Sequence, residues 1–250
     1  MTSKLRDQVA LITGAREGIG LAIGRELGMQ GATVVLISRG VGVRQAAQKL
    51  ASEGLTVCGM EADVSDPDAV KALVADCLDR FNRVDILVNN AGVGGVGPIE
   101  EISIEEWNEV FRNNLTTVFL CSKHVFPAMK QQRSGTIVNI SSVAGRFRSS
   151  VAGVHYTASK AAIIGFTRQL ALEGAPLGIR VNAIAPAQTD TEMLREGLAK
   201  TNKTVEDIAR QIPLGYIARP EQIASVCAFL CSEDSSYMTG AIVDVNGGTI

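Results

Sequence analysis

The stretch that decides the fold is VALITGAREGIG, residues Val9–Gly20. Its first five residues are apolar or β-branched and predict a buried strand over Val9–Thr13. Glycines at positions 14, 18 and 20 follow, and a segment with helical periodicity begins at Ile19. A strand that turns into a helix through glycines directs free backbone N–H groups and the positive end of the helix dipole at one place. The stretch therefore predicts that this turn binds the pyrophosphate of a dinucleotide. An ordinary glycine-rich turn is the alternative.

The same alternation of strand and helix continues along the chain. Short β-branched runs predict seven strands, which are Val9–Thr13, Thr33–Ser38, Thr56–Met60, Ile86–Asn89, Thr136–Ile140, Arg180–Ile184 and Ile242–Val245. Apolar residues at spacings of three and four predict helices near Ile19–Gln30, Val41–Glu53, Asp68–Arg80, Ile104–Lys130, Tyr156–Glu173 and Pro220–Cys231. We expect one α/β domain over residues 1–250, a doubly wound parallel sheet of about seven strands with helices on both faces. The least regular segment, approximately residues 187–214, is predicted to be a mobile lid beside the ligand cleft.

Composition excludes several classes of protein. The 250 residues include 24 Lys+Arg and 26 Asp+Glu, a net charge of −2, so no large basic surface for nucleic acid is predicted. No run approaches the roughly 20 apolar residues of a membrane helix, and no signal peptide is visible. We expect a soluble, cytoplasmic protein that binds neither nucleic acid nor membrane. With five scattered cysteines and two histidines, neither a disulfide framework nor a metal site is predicted.

The end of the second strand bears on which dinucleotide would bind. NAD-binding domains place an acidic residue about 20 positions beyond the last glycine, where it holds the ribose hydroxyls. Here the strand ends in Ser38 and Arg39, with no carboxylate. Arg39, and Arg16 in the glycine turn, can bind a 2′-phosphate through charge-assisted hydrogen bonds, which favours NADP(H). Glu17 beside Arg16 has the opposite charge and leaves NAD(H) open, as does the alternative that Arg39 is simply solvated.

A tyrosine and a lysine begin the helical segment YTASK, Tyr156–Lys160. Their spacing of four places the phenol and the ammonium on one helix face. An unperturbed tyrosine has a pKa near 10, which a lysine cation together with an oxidised nicotinamide would lower. Such a phenol can exchange a proton with an alcohol or carbonyl oxygen. Ser142, at the end of the preceding strand region, is expected at the carboxyl edge of the sheet, where ligands bind in such folds. For the tyrosine and lysine alone, a surface pair is the alternative.

Four further motifs stand at matching places along the chain. They are Asn89–Gly92 (NNAG), Asn113–Leu115 (NNL), Asn139–Ser142 (NISS) and Arg180–Pro186 (RVNAIAP). Together with Thr13–Gly20 and Tyr156–Lys160, they make the sequence resemble the short-chain dehydrogenase/reductase family over essentially its whole length. The resemblance implies a Rossmann-like fold and hydride transfer between a nicotinamide cofactor and a carbonyl or secondary-alcohol carbon.

The resemblance also implies residue roles. Ser142 would orient the substrate oxygen, Tyr156 would act as general acid or base, and Lys160 would bind the nicotinamide ribose and lower the pKa of the tyrosine. Asn114 would anchor a water that links Lys160 to solvent. The cofactor would be bound by Gly14, Arg16, Gly18, Ile19, Gly20, Ser38, Arg39, Asp63, Val64, Asn90, Ala91, Gly92, Tyr156, Lys160, Ala187, Thr189 and Thr191.

Some features leave alternatives or depart from the family. Asp63 can instead be a helix cap, and the Asn90–Gly92 turn can be purely structural. Ala187 stands where the family usually has glycine after the proline, so its methyl group would narrow the approach to the nicotinamide. The segment 237–248 resembles the family's last strand, which implies a homotetramer or homodimer.

The substrate is less defined than the chemistry. The chain looks most like bacterial 3-oxoacyl-thioester reductases, although Leu177 replaces a basic residue that often binds their acidic carrier protein. Arg146 and Arg148 are candidates for binding a carboxylate, a phosphate or a phosphopantetheine arm, with solvent-facing or interface arginines as the alternative. The segment Gly92–Gly97 is expected to form one wall of the pocket. His155 points about 100° away from Tyr156 on the helix, so we expect it not to be catalytic.

These observations lead to one expected function and two alternatives. We expect an NADP(H)-dependent oxidoreductase that reduces a small-molecule ketone or 3-oxoacyl carbonyl to a secondary alcohol. The first alternative is an NAD-dependent alcohol, sugar, polyol or hydroxysteroid dehydrogenase. The second is a nucleotide-binding sensor or structural subunit without turnover, against which the set Asn114, Ser142, Tyr156 and Lys160 argues.

Overall fold

A parallel sheet of seven strands forms the centre of the protein. The computed structural model describes residues 4–149, 151–199 and 204–250. The strands are β1 (Val9–Thr13), β2 (Thr33–Ser38), β3 (Val57–Glu61), β4 (Ile86–Asn89), β5 (Gly135–Ile140), β6 (Ile179–Pro186) and β7 (Ile242–Val245). Their order in the sheet is β3-β2-β1-β4-β5-β6-β7. Because this order reverses direction between β1 and β4, a crevice for a ligand opens at the carboxyl ends of these two strands.

The predicted strands are confirmed, with small differences at their ends. Strands β1, β2, β4 and β7 have the predicted bounds, whereas β3 lies one residue later and β5 begins one residue earlier. Strand β6 extends to Pro186, which pairs with Val245 of β7. The residues of a strand predict its centre, whereas pairing with a neighbour distant in sequence decides its last residues.

Helices cover both faces of the sheet. They are α1 (Gly18–Met29), α2 (Gly42–Ser52), α3 (Pro67–Phe81), α4 (Ile104–Phe111), α5 (Thr117–Gln132), α6 (Val143–Arg146), α7 (Val154–Gly174), α8 (Glu192–Ala199), α9 (Val205–Ala209) and α10 (Pro220–Cys231). The predicted helices are confirmed to within two residues at their ends, with one interruption. The short helices α6, α8 and α9 were not predicted. Across the described ranges, no helix combines the length and the apolar character needed to cross a membrane.

The prediction of one helix over Ile104–Lys130 is wrong at its middle. A π-helical segment, Arg112–Thr116, separates α4 from α5 and buries Asn113 and Asn114. Apolar spacing does not distinguish a π turn from an α turn, because the difference is a single extra residue.

Alternate strand residues pack into two separate apolar layers. Leu11 and Val35 belong to the layer on one face of the sheet, while Ile12 and Leu36 belong to the layer on the other. Successive side chains of a strand point to opposite faces, so both faces are buried. This arrangement confirms the doubly wound α/β fold.

The segment 187–214 contains the two short helices α8 and α9. Leu198, Ile208 and Ile212 are buried in a small apolar cluster of their own. Residues 200–203 of the predicted lid lie outside the described residues, and its mobility stays a prediction.

Candidate active site

The glycine turn brings the ends of β1 and β4 very close together. Gly14 and Gly18 have positive φ angles of 63° and 57°. A Cβ atom at Gly20 would lie 2.5 Å from the carbonyl oxygen of Gly14, and one at Gly14 would lie 2.8 Å from Cα of Ala91. Gly14 and Gly20 therefore have no room for side chains, which leaves the backbone there open to a ligand at the N-terminus of α1.

Side chains from the two strand ends lock this turn. The amide nitrogen Nδ2 of Asn90 donates to the carbonyl oxygens of Thr13 and Gly14, both at 3.0 Å. The hydroxyl oxygen of Thr13 accepts from the backbone N–H groups of Asn90 and Ala91, also at 3.0 Å. The predicted Asn90–Gly92 turn thus lies beside the glycine turn at the point where the strand order reverses.

A cavity of about 320 Å³ extends from the glycine turn along the ends of β2 and β3. Its lining includes predicted cofactor residues, namely Gly14, Arg16, Gly18, Ile19, Ser38, Arg39, Asp63, Val64, Asn90, Ala91, Gly92 and Thr191. Burial raises the pKa of Asp63, but hydrogen bonds from the N–H and hydroxyl groups of Ser65, together with the charges of Arg39 and Arg112, outweigh it and hold the pKa below its usual value. These two bonds make Asp63 a local turn acceptor as well as part of the cavity wall.

The two arginines of this cavity have different surroundings. Arg16 forms an ion pair with Glu17 at 2.6 Å, and both side chains are half exposed. A Cβ atom at Gly42 would lie 2.8 Å from Cδ of Arg16, so the arginine stem crosses the start of α2 at close range. Arg39 is exposed at the end of β2. Arg16 therefore already has an anionic partner, which a 2′-phosphate would have to share or displace.

A second cavity, of about 490 Å³, lies beside the first. The two share Ile19, Asn90, Gly92, Thr191 and Met193 in their linings. The second cavity is also lined by the predicted residues Ser142, Arg148, Tyr156, Lys160, Ala187 and Thr189. The proposed reacting groups and the proposed cofactor site therefore meet at a common boundary.

Tyr156 and Lys160 are placed on one face of α7, as their spacing predicts. The Nζ atom of Lys160 lies 5.7 Å from the centre of the Tyr156 ring and donates to the carbonyl oxygen of Ile140 at 3.0 Å. Burial lowers the pKa of Lys160 to about 8. Burial also raises the pKa of Tyr156, and a hydrogen bond with the Ser142 side chain acts in the opposite direction. The lowering of the tyrosine pKa expected from the sequence requires the positive nicotinamide as well, so it stays a prediction for the complex.

Asn114 connects α7 to the turn after β4. Its Oδ1 atom accepts from the backbone N–H of Val93 at 2.7 Å, and its Nδ2 atom donates to the Val93 carbonyl and to the Ser159 hydroxyl. A Cβ atom at Gly92 would lie 2.9 Å from Oδ1 of Asn114 and 3.6 Å from Nζ of Lys160, so both side chains flank Gly92. Asn114 therefore lies close to Lys160, another of the predicted catalytic residues.

Arg146 and Arg148, the two candidates for substrate binding in the loop after Ser142, lie in different surroundings. Arg148 lines the larger cavity and is exposed. Arg146 instead forms an ion pair with Asp244 at 3.2 Å and contacts the carbonyl oxygen of Ile242. These contacts tie α6 to β7 and direct the Arg146 guanidinium away from a substrate role. Ser150 of the same loop lies outside the described residues.

Sequence reasoning missed part of the cavity lining. Residues of the segment 187–214 and of the chain end also line this cavity, namely Gln188, Met193, Leu194, Gly197, Ile208, Gln211, Ile212, Thr249 and Ile250. No local motif marks them, because they belong to short elements far apart in sequence. The position of the irregular segment beside the cleft was the one available signal.

The sequence is similar to known reductases over almost the whole chain. A family model described as enoyl-(acyl carrier protein) reductase matches residues 14–249. The 3-oxoacyl-(acyl-carrier-protein) reductase of Aquifex aeolicus (strain VF5) is 38% identical over 250 residues, which cover 99% of each chain.

Two solved structures show the same likeness in three dimensions. A variant of actinorhodin polyketide ketoreductase with NADPH superimposes with a TM-score of 0.93 and 36% identity, over 100% of this chain and 99% of that one. A 3-oxoacyl-(acyl-carrier protein) reductase from Brucella melitensis with bound NAD superimposes with a TM-score of 0.90 and 35% identity, over 100% of this chain and 94% of that one. The expected family is confirmed, and the chain belongs to the short-chain dehydrogenase/reductase family.

Proposed function

We propose that the protein reduces a ketone or 3-oxoacyl carbonyl to a secondary alcohol with NADPH as the hydride donor. The observation that carries the proposal is the meeting of Ser142, Tyr156 and Lys160 at a cavity that borders the glycine turn. The reductase and ketoreductase relatives support the same reaction class. Because one relative binds NADPH and another NAD, the choice of cofactor is argued from residues of this chain.

The cavity beside the glycine turn fits a phosphorylated dinucleotide. Gly14 and Gly20 leave the backbone accessible at the start of α1, where the helix dipole favours a pyrophosphate. Ser38 and Arg39 would hold the 2′-phosphate, and Asp63 and Val64 would contact the adenine. Lys160 would bind the nicotinamide ribose. Residues Ala187, Thr189 and Thr191 would hold the carboxamide. When bound, the cofactor supplies the hydride for the carbonyl carbon.

The side chains of this protein supply orientation and the proton. Ser142 donates a hydrogen bond to the substrate oxygen and holds it near Tyr156. Because burial raises the pKa of Tyr156, the phenol of the unliganded protein is protonated at neutral pH and available as a general acid. As negative charge develops on the substrate oxygen, the phenol donates its proton there. Lys160, with a water held near Asn114, then returns a proton from solvent.

The lining of the larger cavity supports a mainly apolar substrate with one anionic group. Its walls are formed largely by glycines and aliphatic side chains, while Arg148 brings a cation to the lining. A guanidinium binds carboxylate and phosphate in a planar, two-point geometry. The segment 187–214, which supplies Met193 and Ile212 to the cavity, would act as a lid over the substrate.

An NAD-dependent dehydrogenase is the second candidate, and one observation favours it. The ion pair between Arg16 and Glu17 occupies an arginine that would otherwise be available to a 2′-phosphate. A carboxylate at this place also repels a phosphate dianion. Within the described part of the chain Arg39 forms no ion pair of this kind, so NADP(H) remains the preferred cofactor.

Turnover by a Tyr156→Phe variant tests the proposal. We expect ketone reduction with NADPH to fall by about 10²–10⁴-fold, because the general acid is removed. NADPH binding, followed by fluorescence titration, should stay within about twofold of the unaltered protein. Near-normal turnover by this variant contradicts the proposed role. Nucleotide binding by the unaltered protein without turnover of any ketone or alcohol favours a sensor instead.

The assembly and location are further parts of the proposal. Tyr237 is fully exposed, Phe229 on α10 is 41% exposed, and both precede β7 at the edge of the sheet. Exposed aromatic side chains near a sheet edge support a subunit interface there, in a homotetramer or homodimer. All five cysteines are free, which supports a cytoplasmic location.

A further inference from the structure

His155 is fully buried behind one wall of the larger cavity. It is the second residue of α7, and its ring packs against Gly95, which lines that cavity. A Cβ atom at Gly95 would lie within 3.0 Å of Nε2, Cε1 and Cδ2 of the ring. A Cβ atom at Gly153 would lie 2.7 Å from Cε1 and 2.9 Å from Nδ1. The imidazole therefore occupies the space that side chains at both glycines would need.

Space explains these two glycines better than backbone conformation does. Gly153 has a φ of −75°, and Gly95 does not have a positive φ either, so other residues can adopt both conformations. The backbone N–H of Gly153 donates to the carbonyl oxygen of Gly95 at 2.8 Å. This bond joins the start of α7 to the cavity wall beside the ring. The imidazole therefore sets the separation between that wall and the helix that carries Tyr156.

Hydrogen bonding by the ring nitrogens does not explain why a histidine is buried at this position. Neither Nδ1 nor Nε2 makes a hydrogen bond within the described part of the chain. The Oε1 atom of Glu106 on α4 lies 3.3 Å from Nε2 and limits how the ring can turn. A buried ring without hydrogen bonds, whose Nε2 faces a carboxylate only through this ion-pair contact, is less favourable than an apolar side chain of similar size. Such a departure from favourable packing, at a cavity wall, is expected where a residue serves function.

We propose that His155 is a positioning residue that sets the depth of the substrate cavity and so limits the size of the group beside the reacting carbonyl. The inference rests on the proposed function, because it takes the cavity beside Ser142 and Tyr156 as the substrate site. Without the imidazole, the backbone at Gly95 can move away from the cavity, which becomes deeper. A methyl group added at Gly95 has the opposite effect, because the ring behind it is confined by Gly153 and Glu106.

Two keto esters of different size test this inference. Ethyl acetoacetate and ethyl benzoylacetate differ by a methyl or a phenyl group beside the ketone, and kcat and KM are measured for each with NADPH. The quantity compared is kcat/KM for the large ester divided by kcat/KM for the small ester. We expect His155→Ala to raise this ratio by about tenfold, because KM for the large ester falls. With the small ester, kcat should stay within about twofold. Gly95→Ala should lower the same ratio.

A double variant separates spacing from general damage. In the His155→Ala background the added methyl group has room, so Gly95→Ala should change the ratio by less than about twofold. His124→Ala removes the other histidine of the chain, on α5, and should leave the ratio unchanged. If His155→Ala does not fold, His155→Gln replaces it and should raise the ratio by a smaller factor. A ratio that rises with the histidine variant and falls with Gly95→Ala supports the inference.

The contrary outcomes are distinct. If His155 is purely structural, His155→Ala and Gly95→Ala both lower Tm and kcat, and the ratio does not move in opposite directions. This result overturns the inference but leaves the proposed function standing. Turnover of neither ester by the unaltered protein overturns the inference together with the 3-oxoacyl form of the proposed function.

Discussion

Lys160 is the residue whose properties depend most on its surroundings. Its side chain is buried, and its ammonium donates to the carbonyl oxygen of Ile140. Burial disfavours the charged form and lowers the pKa to about 8. At neutral pH the cation is therefore still present beside Tyr156, at some expense to the stability of the folded protein.

The stability of the unliganded protein should reveal this buried cation. Because the folded pKa of about 8 lies below the unfolded value of 10.5, the unfolded chain binds more protons between these pH values. The Lys160 contribution to the free energy of unfolding therefore rises over that window, by about 3 kcal/mol in total. Lys160→Met has no buried cation, so its free energy of unfolding, measured with urea, should exceed that of the unaltered protein at pH 7. This difference should shrink between pH 7 and pH 10.

A surface lysine provides the control for this prediction. Lys71 is exposed on α3, and Lys71→Met should show no such change with pH. If Lys160→Met and the unaltered protein differ in free energy of unfolding by the same amount at pH 7 and pH 10, the lowered pKa of Lys160 is contradicted.

Cofactor preference should depend on the charge beside Arg16. Glu17→Gln removes the ion pair and the repulsion of a phosphate, so we expect NADPH to bind about two- to fivefold more tightly and NADH to change less. Arg39→Ala should weaken NADPH binding by about tenfold or more, with little effect on NADH. Fluorescence titrations measure both nucleotides. Glu53→Gln breaks a comparable exposed pair with Arg25 and serves as the control; equal effects on NADPH and NADH would argue against a phosphate site.

At the scale of elements, the π-helical segment determines what the helix after β4 brings to the site. One extra residue per turn changes the direction of the side chains that follow it, and such turns are frequent at functional sites. Here it places Asn114 against both Val93 and Ser159, so that a single side chain joins the turn after β4 to α7.

Removal of this amide should loosen the turn after β4. Asn114→Ala leaves the N–H of Val93 without its acceptor, and we expect the free energy of unfolding to fall by about 2 kcal/mol. Hydrogen exchange should become faster at the Val93 amide. Asn108→Ala, at an exposed position of α4, is the matched variant and should change neither quantity appreciably. Unchanged exchange at Val93 in Asn114→Ala would show that the amide does not hold the turn.

At the scale of the whole molecule, the strand order assembles the site. Placing β1 between β2 and β4 brings the glycine turn next to the segment 90–93, although about 75 residues separate them in sequence. At the other end of the sheet, β7 has a neighbour on one side only, β6. The self-association that we propose would therefore depend on that edge and on the exposed aromatic residues before it, which only the assembled sheet brings together.

The mass in solution tests this property. We expect light scattering to give two or four times the 26.4 kDa of the chain. Phe229→Asp places a charge on the exposed face of α10 and should lower the mass, because buried charge destabilises an interface. Met29→Asp changes an apolar residue of similar exposure at the end of α1 and should leave the mass unchanged. A mass of 26.4 kDa for the unaltered protein would contradict the assembly.

Most of the fold could be predicted because its signals are local. The β-branched run Val9–Thr13 and its glycines specify a strand, a turn and the start of a helix through their own backbone preferences. The four-residue spacing of Tyr156 and Lys160 similarly fixes their common helix face. The roles of these residues in catalysis and cofactor binding were also expected from the sequence, and they stay predictions.

Only the tertiary structure decided which distant groups meet. It directed Arg146 to Asp244, placed the π turn at Asn114, and brought the segment 187–214 and the chain end to the cavity. It also placed His155 against Gly95, which no periodicity indicates. The physical reason is that backbone preferences and apolar spacing act within a few residues, whereas these contacts depend on how separate elements pack against one another.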